Sequence, residues 1–260
     1  MEADFDPSTG DLFADPENYY PPTPPPKVES YTLETGQELT LHLVGHSPLE
    51  AHHLWNGARI VSKYFEATPS LVRGRTVLEL GAGAGLPSLV CGVLGCSRAV
   101  VTDYPDVDLV KTMQKNVGEM EEVVESAKGR VRVKGYIWGR DVEPLLEELE
   151  EKDRKGFDVL ILADLLFRHS EHGNMVKSIQ KALKKARESV AYVVFTSYRP
   201  WLKEKDLAFF DTAREAGFVV EKVLERKLDK PLFEGDPGDL DVQKTVTGWS
   251  VKWPEEAWEV

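Results

Sequence analysis

From residue 75 onward, short apolar runs alternate with longer stretches of helical period, and this alternation predicts the architecture. The runs at 76–80, 99–102, 131–136, 159–163 and 190–196 are rich in Val, Leu, Ile and Ala. Strands buried on both faces of a parallel sheet read this way. The segments between them have helical length or period, so the pattern demands a largely parallel, doubly wound α/β sheet. A helix is expected near 203–216. Two further strands, at 218–224 and 245–253, are joined by a polar loop and not by a helix, which predicts an antiparallel pair at one edge.

Upstream the pattern changes. Residues 31–44 read as two short strands around Thr35-Gly36, a hairpin laid beside the main domain. Ser47-Pro48-Leu49-Glu50 reads as a helix start, with Ser47 as N-cap, Pro48 in the first turn and Glu50 closing a capping box. Leu54, Ala58, Val61 and Phe65 then follow at helical spacing and give that helix an inward face. Residues 1–30 are acidic and then proline-rich, too poor in apolar side chains for a core, and read as an extended or disordered arm. The expected organisation is an arm at 1–30, a packed hairpin and helix at 31–70, and the α/β domain at 71–260.

Composition adds bounds. With 260 residues, 42% of them hydrophobic, the chain can bury one sizeable core. No apolar run is long enough for a membrane helix and the N-terminal residues are acidic, so neither membrane association nor a signal or transit peptide is expected, and the cytoplasm is the expected location. A net charge of −12 argues against nucleic-acid binding and suits a basic protein partner. The two cysteines, Cys91 and Cys96, read as small buried thiols with neither disulfide nor zinc. The six histidines (His42, His46, His52, His53, His169 and His172) lack the spacing and partners of a metal site, so no metal is expected. Ser88 does not stand in a G-x-S-x-G elbow, which removes a nucleophilic triad.

The chemistry concentrates where the first strand of the α/β domain runs into Gly81-Ala82-Gly83-Ala84-Gly85 and then an apolar helix. Glycines there let backbone amides approach a ligand at a helix N-terminus. A dinucleotide loop needs G-x-G-x-x-G, whereas the third glycine here falls one residue early, as in the S-adenosylmethionine loop of class I methyltransferases. The next strand ends in Asp103, placed to accept from both ribose hydroxyls. Trp138, after the third strand, can cover an adenine face or be a packing aromatic; Trp55 can close the other side or belong to the core. Asp164, leaving the fourth strand, can orient an acceptor amine or cap a helix. Tyr198 and Trp201 can line an aromatic acceptor channel or shield the end of the sheet. An Asn-Pro-Pro-Tyr tetrapeptide, the sign of amide or exocyclic-amine methylation, is replaced by Ala163-Asp164-Leu165-Leu166-Phe167, so transfer to an amine is favoured.

Together, Leu78-Glu79-Leu80-Gly81-Ala82-Gly83 with Gly85-Leu86-Pro87, Trp55-Asn56, Thr102-Asp103-Tyr104-Pro105 and Asp164-Leu165-Leu166-Phe167 resemble the seven-strand lysine methyltransferases known as family 16. The N-terminal pattern Leu12-Phe13, Pro16-Glu17, Tyr20-Pro21-Pro22, Tyr31-Thr32-Leu33, Gly36-Gln37 and Leu43-Val44-Gly45 resembles that family's fungal members acting on elongation factor 1-alpha. The resemblance implies a Rossmann-like seven-stranded methyltransferase fold, S-adenosyl-L-methionine as cofactor, and methylation of that factor's N-terminal glycine amine and adjacent lysine by a cytoplasmic monomer. It implies cofactor contacts at Trp55, Gly81, Ala82, Gly83, Asp103, Trp138 and Ala163, with Gly85 completing the loop, while Asp164, Phe167 and Tyr198 are the acceptor-side candidates. An internal lysine of another translation factor or chaperone is the alternative target. An NAD-dependent oxidoreductase is disfavoured by the glycine spacing and the terminal strand pair, and a noncatalytic adaptor by the intact loop, Asp103 and Asp164.

Overall fold

The computed structural model describes residues 24–259; the arm and N-terminal motif expected before residue 24 lie outside them. Strands β1 (Lys27–Thr32) and β2 (Glu38–Leu43) form the antiparallel hairpin. β1 starts inside the stretch assigned to the arm because Lys27 to Ser30 carry almost no apolar signal, Val28 being 62% exposed. The hairpin docks through the fully buried Asn116, whose amide donates to the carbonyls of His42 (3.0 Å) and Ala84 (2.9 Å) while its oxygen accepts from the His42 N–H.

Helix α1 (Asn56–Ala67) corrects the expected start at Ser47. Ser47 does cap a turn, accepting from Leu49 N–H at 3.1 Å. Glu50 then takes a left-handed φ of 63°, which no right-handed helix continues, and the chain crosses open backbone to Trp55. Ala58, Val61 and Phe65 face inward as the spacing requires.

The main sheet is built from β3 (Thr76–Leu80), β4 (Arg98–Asp103), β5 (Val131–Gly135), β6 (Val159–Ala163), β7 (Val190–Thr196), β8 (Val219–Lys227) and β9 (Thr245–Lys252) in the order β5-β4-β3-β6-β7-β9-β8. The first five are parallel; β9 pairs antiparallel with both β7 and β8. Helices α2 (Leu86–Val93) and α3 (Val107–Val123) join α1 on one face, where Val61, Phe65, Leu89 and Met113 share a core. The short α4 (Glu143–Leu146), α5 (His172–Ala182) and α6 (Lys203–Glu215) cover the other with Leu145, Met175, Phe209 and Phe210. The connection from β8 to β9 is not pure loop: it contains α7 (Leu240–Lys244), N-capped by Asp239, a turn too short to show periodicity. Strand order reverses between β3 and β6, and open parallel sheets bind ligands beyond the carboxyl ends of strands at such a reversal.

Candidate active site

A cavity of about 270 Å³ opens at that point, near the lower end of small-molecule pockets. Gly81, Ala82 and Gly83 line it, together with Trp55, Asp103, Trp138, Ala163, Asp164 and Phe167. Gly81 turns out of β3 at φ 61°, and a Cβ there would come within 2.6 Å of Leu165 and 2.9 Å of Trp138, so only glycine lets the loop pass beneath the indole. Gly85 stands outside the lining as the left-handed residue that starts α2.

Asp103 is buried and held by two amides, Gly83 N–H at 2.7 Å and Tyr104 N–H at 2.6 Å. Burial pushes its carboxyl up, and the two amides pull it back down. The carboxylate is thereby fixed at the wall of the cavity with acceptor capacity left for vicinal hydroxyls. Glu79, a site residue the sequence reading did not select, also lines the cavity; it is 1% exposed and accepts from the amide and hydroxyl of Ser88. Burial pushes it up to about 8, the Ser88 contacts opposing. Its signal was present in the chain as the one charged residue inside an otherwise apolar strand.

Asp164 has a role no local pattern announces. Its carboxylate is 3% exposed and accepts from Gly57 N–H, in the first turn of α1, and from Thr196 N–H at 2.8 Å. It thus supplies the side-chain cap that Trp55, the N-cap residue, does not. The Tyr198 hydroxyl accepts from the preceding amide, Asn56 N–H, at 3.2 Å. Both tips of β6 and β7 therefore hold the entry of α1, and a Cβ on Gly57 would lie 2.5 Å from Asp164 Oδ2. Burial pushes the Asp164 carboxyl up to about 7 against the pull of these donors. Its φ of 53° is a left-handed conformation unusual for aspartate, sustained by this ring of contacts.

Above Asp164 stands a group of aromatic rings. Trp55 stacks with Phe167 (centroids 5.9 Å) and tilts against Tyr198 (5.0 Å), while its Nε1 donates to Glu50 O at 3.0 Å. His53 meets Trp55 edge-on at 5.4 Å and is held below the ordinary histidine range, first by burial and then by His52. Trp201 does not join them; it is 60% exposed. The histidines expected to lack acidic partners include one close group, Glu50, His52 and His53, whose ligand atoms lie within 4.8 Å of one another. Cys91 and Cys96 are buried free thiols, both pushed up by burial.

A strand-to-glycine turn, a buried carboxylate at the end of the next strand and an indole wall fit the adenosyl part of S-adenosylmethionine, and Trp55 and Phe167 add aromatic rings to the same cavity. The comparisons agree. A family model described as lysine methyltransferase matches residues 35–216. A protein N-terminal and lysine N-methyltransferase of Gibberella zeae is 60% identical, covering 99% of both chains, and its counterpart in Schizosaccharomyces pombe is 40% identical over 94% of this chain and 95% of that one. Among solved structures, a SAM-dependent methyltransferase from Aquifex aeolicus aligns with a TM-score of 0.53 at 15% identity, over 79% of this chain and 98% of the other. TYW2 of Pyrococcus horikoshii in complex with MeSAdo aligns at 0.50 and 16% identity, over 87% and 72%. These structures share the fold. The chain belongs to the lysine methyltransferase family and is an S-adenosylmethionine-dependent enzyme.

Proposed function

We propose that this chain methylates the N-terminal α-amine of elongation factor 1-alpha and the lysine beside it, acting as a cytoplasmic monomer. The observation that carries the reading is the 60% identity, over 99% of both chains, to a protein N-terminal and lysine N-methyltransferase. The N-terminal motif resembling the fungal enzymes of that factor, and the net charge of −12 facing a basic partner, support the substrate.

The bound cofactor supplies an electrophilic methyl on a sulfonium. With the cofactor bound, Asp103 would anchor the ribose hydroxyls and Trp138 would cover the base, the glycine turn leaving room for both. Trp55 closes the cofactor's other side, and Phe167 and Tyr198 receive the acceptor and strip water from it. An α-amine with a pKa near 8 needs little help to be neutral, whereas lysine near 10.4 must lose its proton to water, a loss the desolvating rings favour. Asp164, with both oxygens already accepting backbone amides, has lone pairs left to orient the amine N–H bonds.

The test is mass spectrometry of the N-terminal peptide of unmethylated elongation factor 1-alpha after incubation with enzyme and S-adenosylmethionine. Stepwise methylene-mass additions on the first two residues are expected, and their loss with Asp103→Ala. A preparation that binds the cofactor yet leaves both residues unmodified would overturn the substrate and point to internal lysines of other proteins.

A further inference from the structure

One ring packed against the cavity's aromatic rim comes from a part of the chain to which no motif pointed. Phe233 belongs to the connection between β8 and β9, the edge pair of the sheet, while the cofactor loop follows β3 near its middle. Its ring centroid nevertheless lies 5.1 Å from His53, 5.7 Å from Trp55 and 5.7 Å from Tyr198, edge-on to each. His53 and Trp55 line the cavity, so these contacts seat the Phe233 ring at its rim, where an aromatic face suits a methylated ammonium entering or leaving.

The loop is tied in place. Gln243 of α7 is buried and donates through Nε2 to Pro237 O at 2.9 Å and to Tyr198 O at 3.4 Å. Gly238 packs so closely on Pro200 that a Cβ would sit 3.0 Å from its ring. Residues 229–241 carry five carboxylates (Asp229, Glu234, Asp236, Asp239 and Asp241) against the single Lys230. Among the described residues Asp229 and Asp236 have no side-chain partner, whereas Glu234 and Asp241 pair with lysines and Asp239 caps α7. The jaw that presents Phe233 therefore also presents negative charge to an approaching amine.

Resting on the amine-methyltransferase reading above, we propose that Phe233 is a specificity-determining residue that closes the outer wall of the acceptor channel and retains the partly methylated ammonium for the next transfer. In each transfer the ammonium first gives its proton to water, the freed lone pair takes the methyl as the carbon–sulfur bond breaks, and the bonding electrons stay on sulfur. The methylated nitrogen regains its charge whenever it is protonated, and aromatic walls then hold it while it sheds hydration more readily than an unmethylated ammonium.

Two measurements test this. In a time course on the elongation-factor peptide, Phe233→Ala is expected to raise the ratio of released partly methylated to fully methylated product about fivefold, and Phe233→Trp to restore the wild-type ratio. A ladder unchanged in Phe233→Ala would overturn the proposal. The second measurement needs no protein substrate: calorimetry of choline and its uncharged isostere 3,3-dimethylbutan-1-ol on enzyme saturated with S-adenosylhomocysteine. Wild type is expected to prefer choline about fivefold and Phe233→Ala to lose that preference; no preference in wild type, or the same preference in both, would overturn the cage. If wild type leaves the peptide unmodified while the choline preference still depends on Phe233, the substrate assignment fails and the jaw stands.

Discussion

Removing the Asp164 carboxylate should damage the fold before any catalytic loss is considered, because that group closes the entry of α1. Its two oxygens accept from Gly57 and Thr196 amides in a site that is 3% exposed. Asp164→Ala leaves both amides buried without an acceptor, and an unpaired buried donor costs about 1–3 kcal/mol, so the loss is about 4 kcal/mol. Asp164→Asn keeps one acceptor and turns an NH₂ toward the second amide, for about 2 kcal/mol. In a chain of this size 1 kcal/mol moves Tm by about 2–4 °C, which gives a fall of about 6 °C for Asn and about 12 °C for Ala. Differential scanning calorimetry reads both, and hydrogen exchange at the Gly57 and Thr196 amides locates the loss. An Ala variant melting within about 2 °C of wild type, or one whose two amides stay as protected as before, would refute the capping argument. Methyl transfer measured well below both melting points then isolates whatever Asp164 contributes to the acceptor.

Gly57→Ala should also destabilise, although helix propensity alone would favour alanine by about 1 kcal/mol. The new Cβ would meet Asp164 Oδ2 at 2.5 Å and Val194 O at 2.6 Å, and such overpacking costs about 1–3 kcal/mol; a denaturation midpoint above wild type would show that α1 does not dock this way. Glu79 carries a pH signature. Its folded-state value, near 8, stands above the ordinary glutamate value, so the folded chain keeps a proton the unfolded chain has released. The contribution is complete below the unfolded value and is lost as pH rises, at about 1.4 kcal/mol per pH unit, until about pH 8. Glu79→Gln removes this dependence, so wild type should lose ground to the variant from about pH 5 to about pH 8. Parallel Tm curves for the two proteins would rule it out.

Much of this protein is readable from neighbouring residues. Strands β3, β6 and β7 begin and end where their apolar runs do, since strands buried on both faces read as near-continuous apolar runs. The glycine spacing and Asp103 announce the cofactor class, because a close backbone approach and a strand-end carboxylate are local requirements. The start of α1 was misread for the converse reason. Ser47-Pro48-Leu49-Glu50 has every local mark of a cap, but the start at Asn56 is chosen by acceptors just past the ends of β6 and β7, 107 residues away for Gly57 and Asp164. Phe233 carries no signal at all, since a phenylalanine in a polar loop meets Trp55 and Tyr198 only once β9 has inserted between β7 and β8 and carried the loop over Tyr198. The sequence by itself determined the periodicity, the turn chemistry and with them the sheet and the cofactor. Only the tertiary structure decided which distant side chains satisfy the buried amides of α1 and which rings gather around Trp55, because those choices depend on strand order and packing, and neither is written in the spacing of adjacent residues.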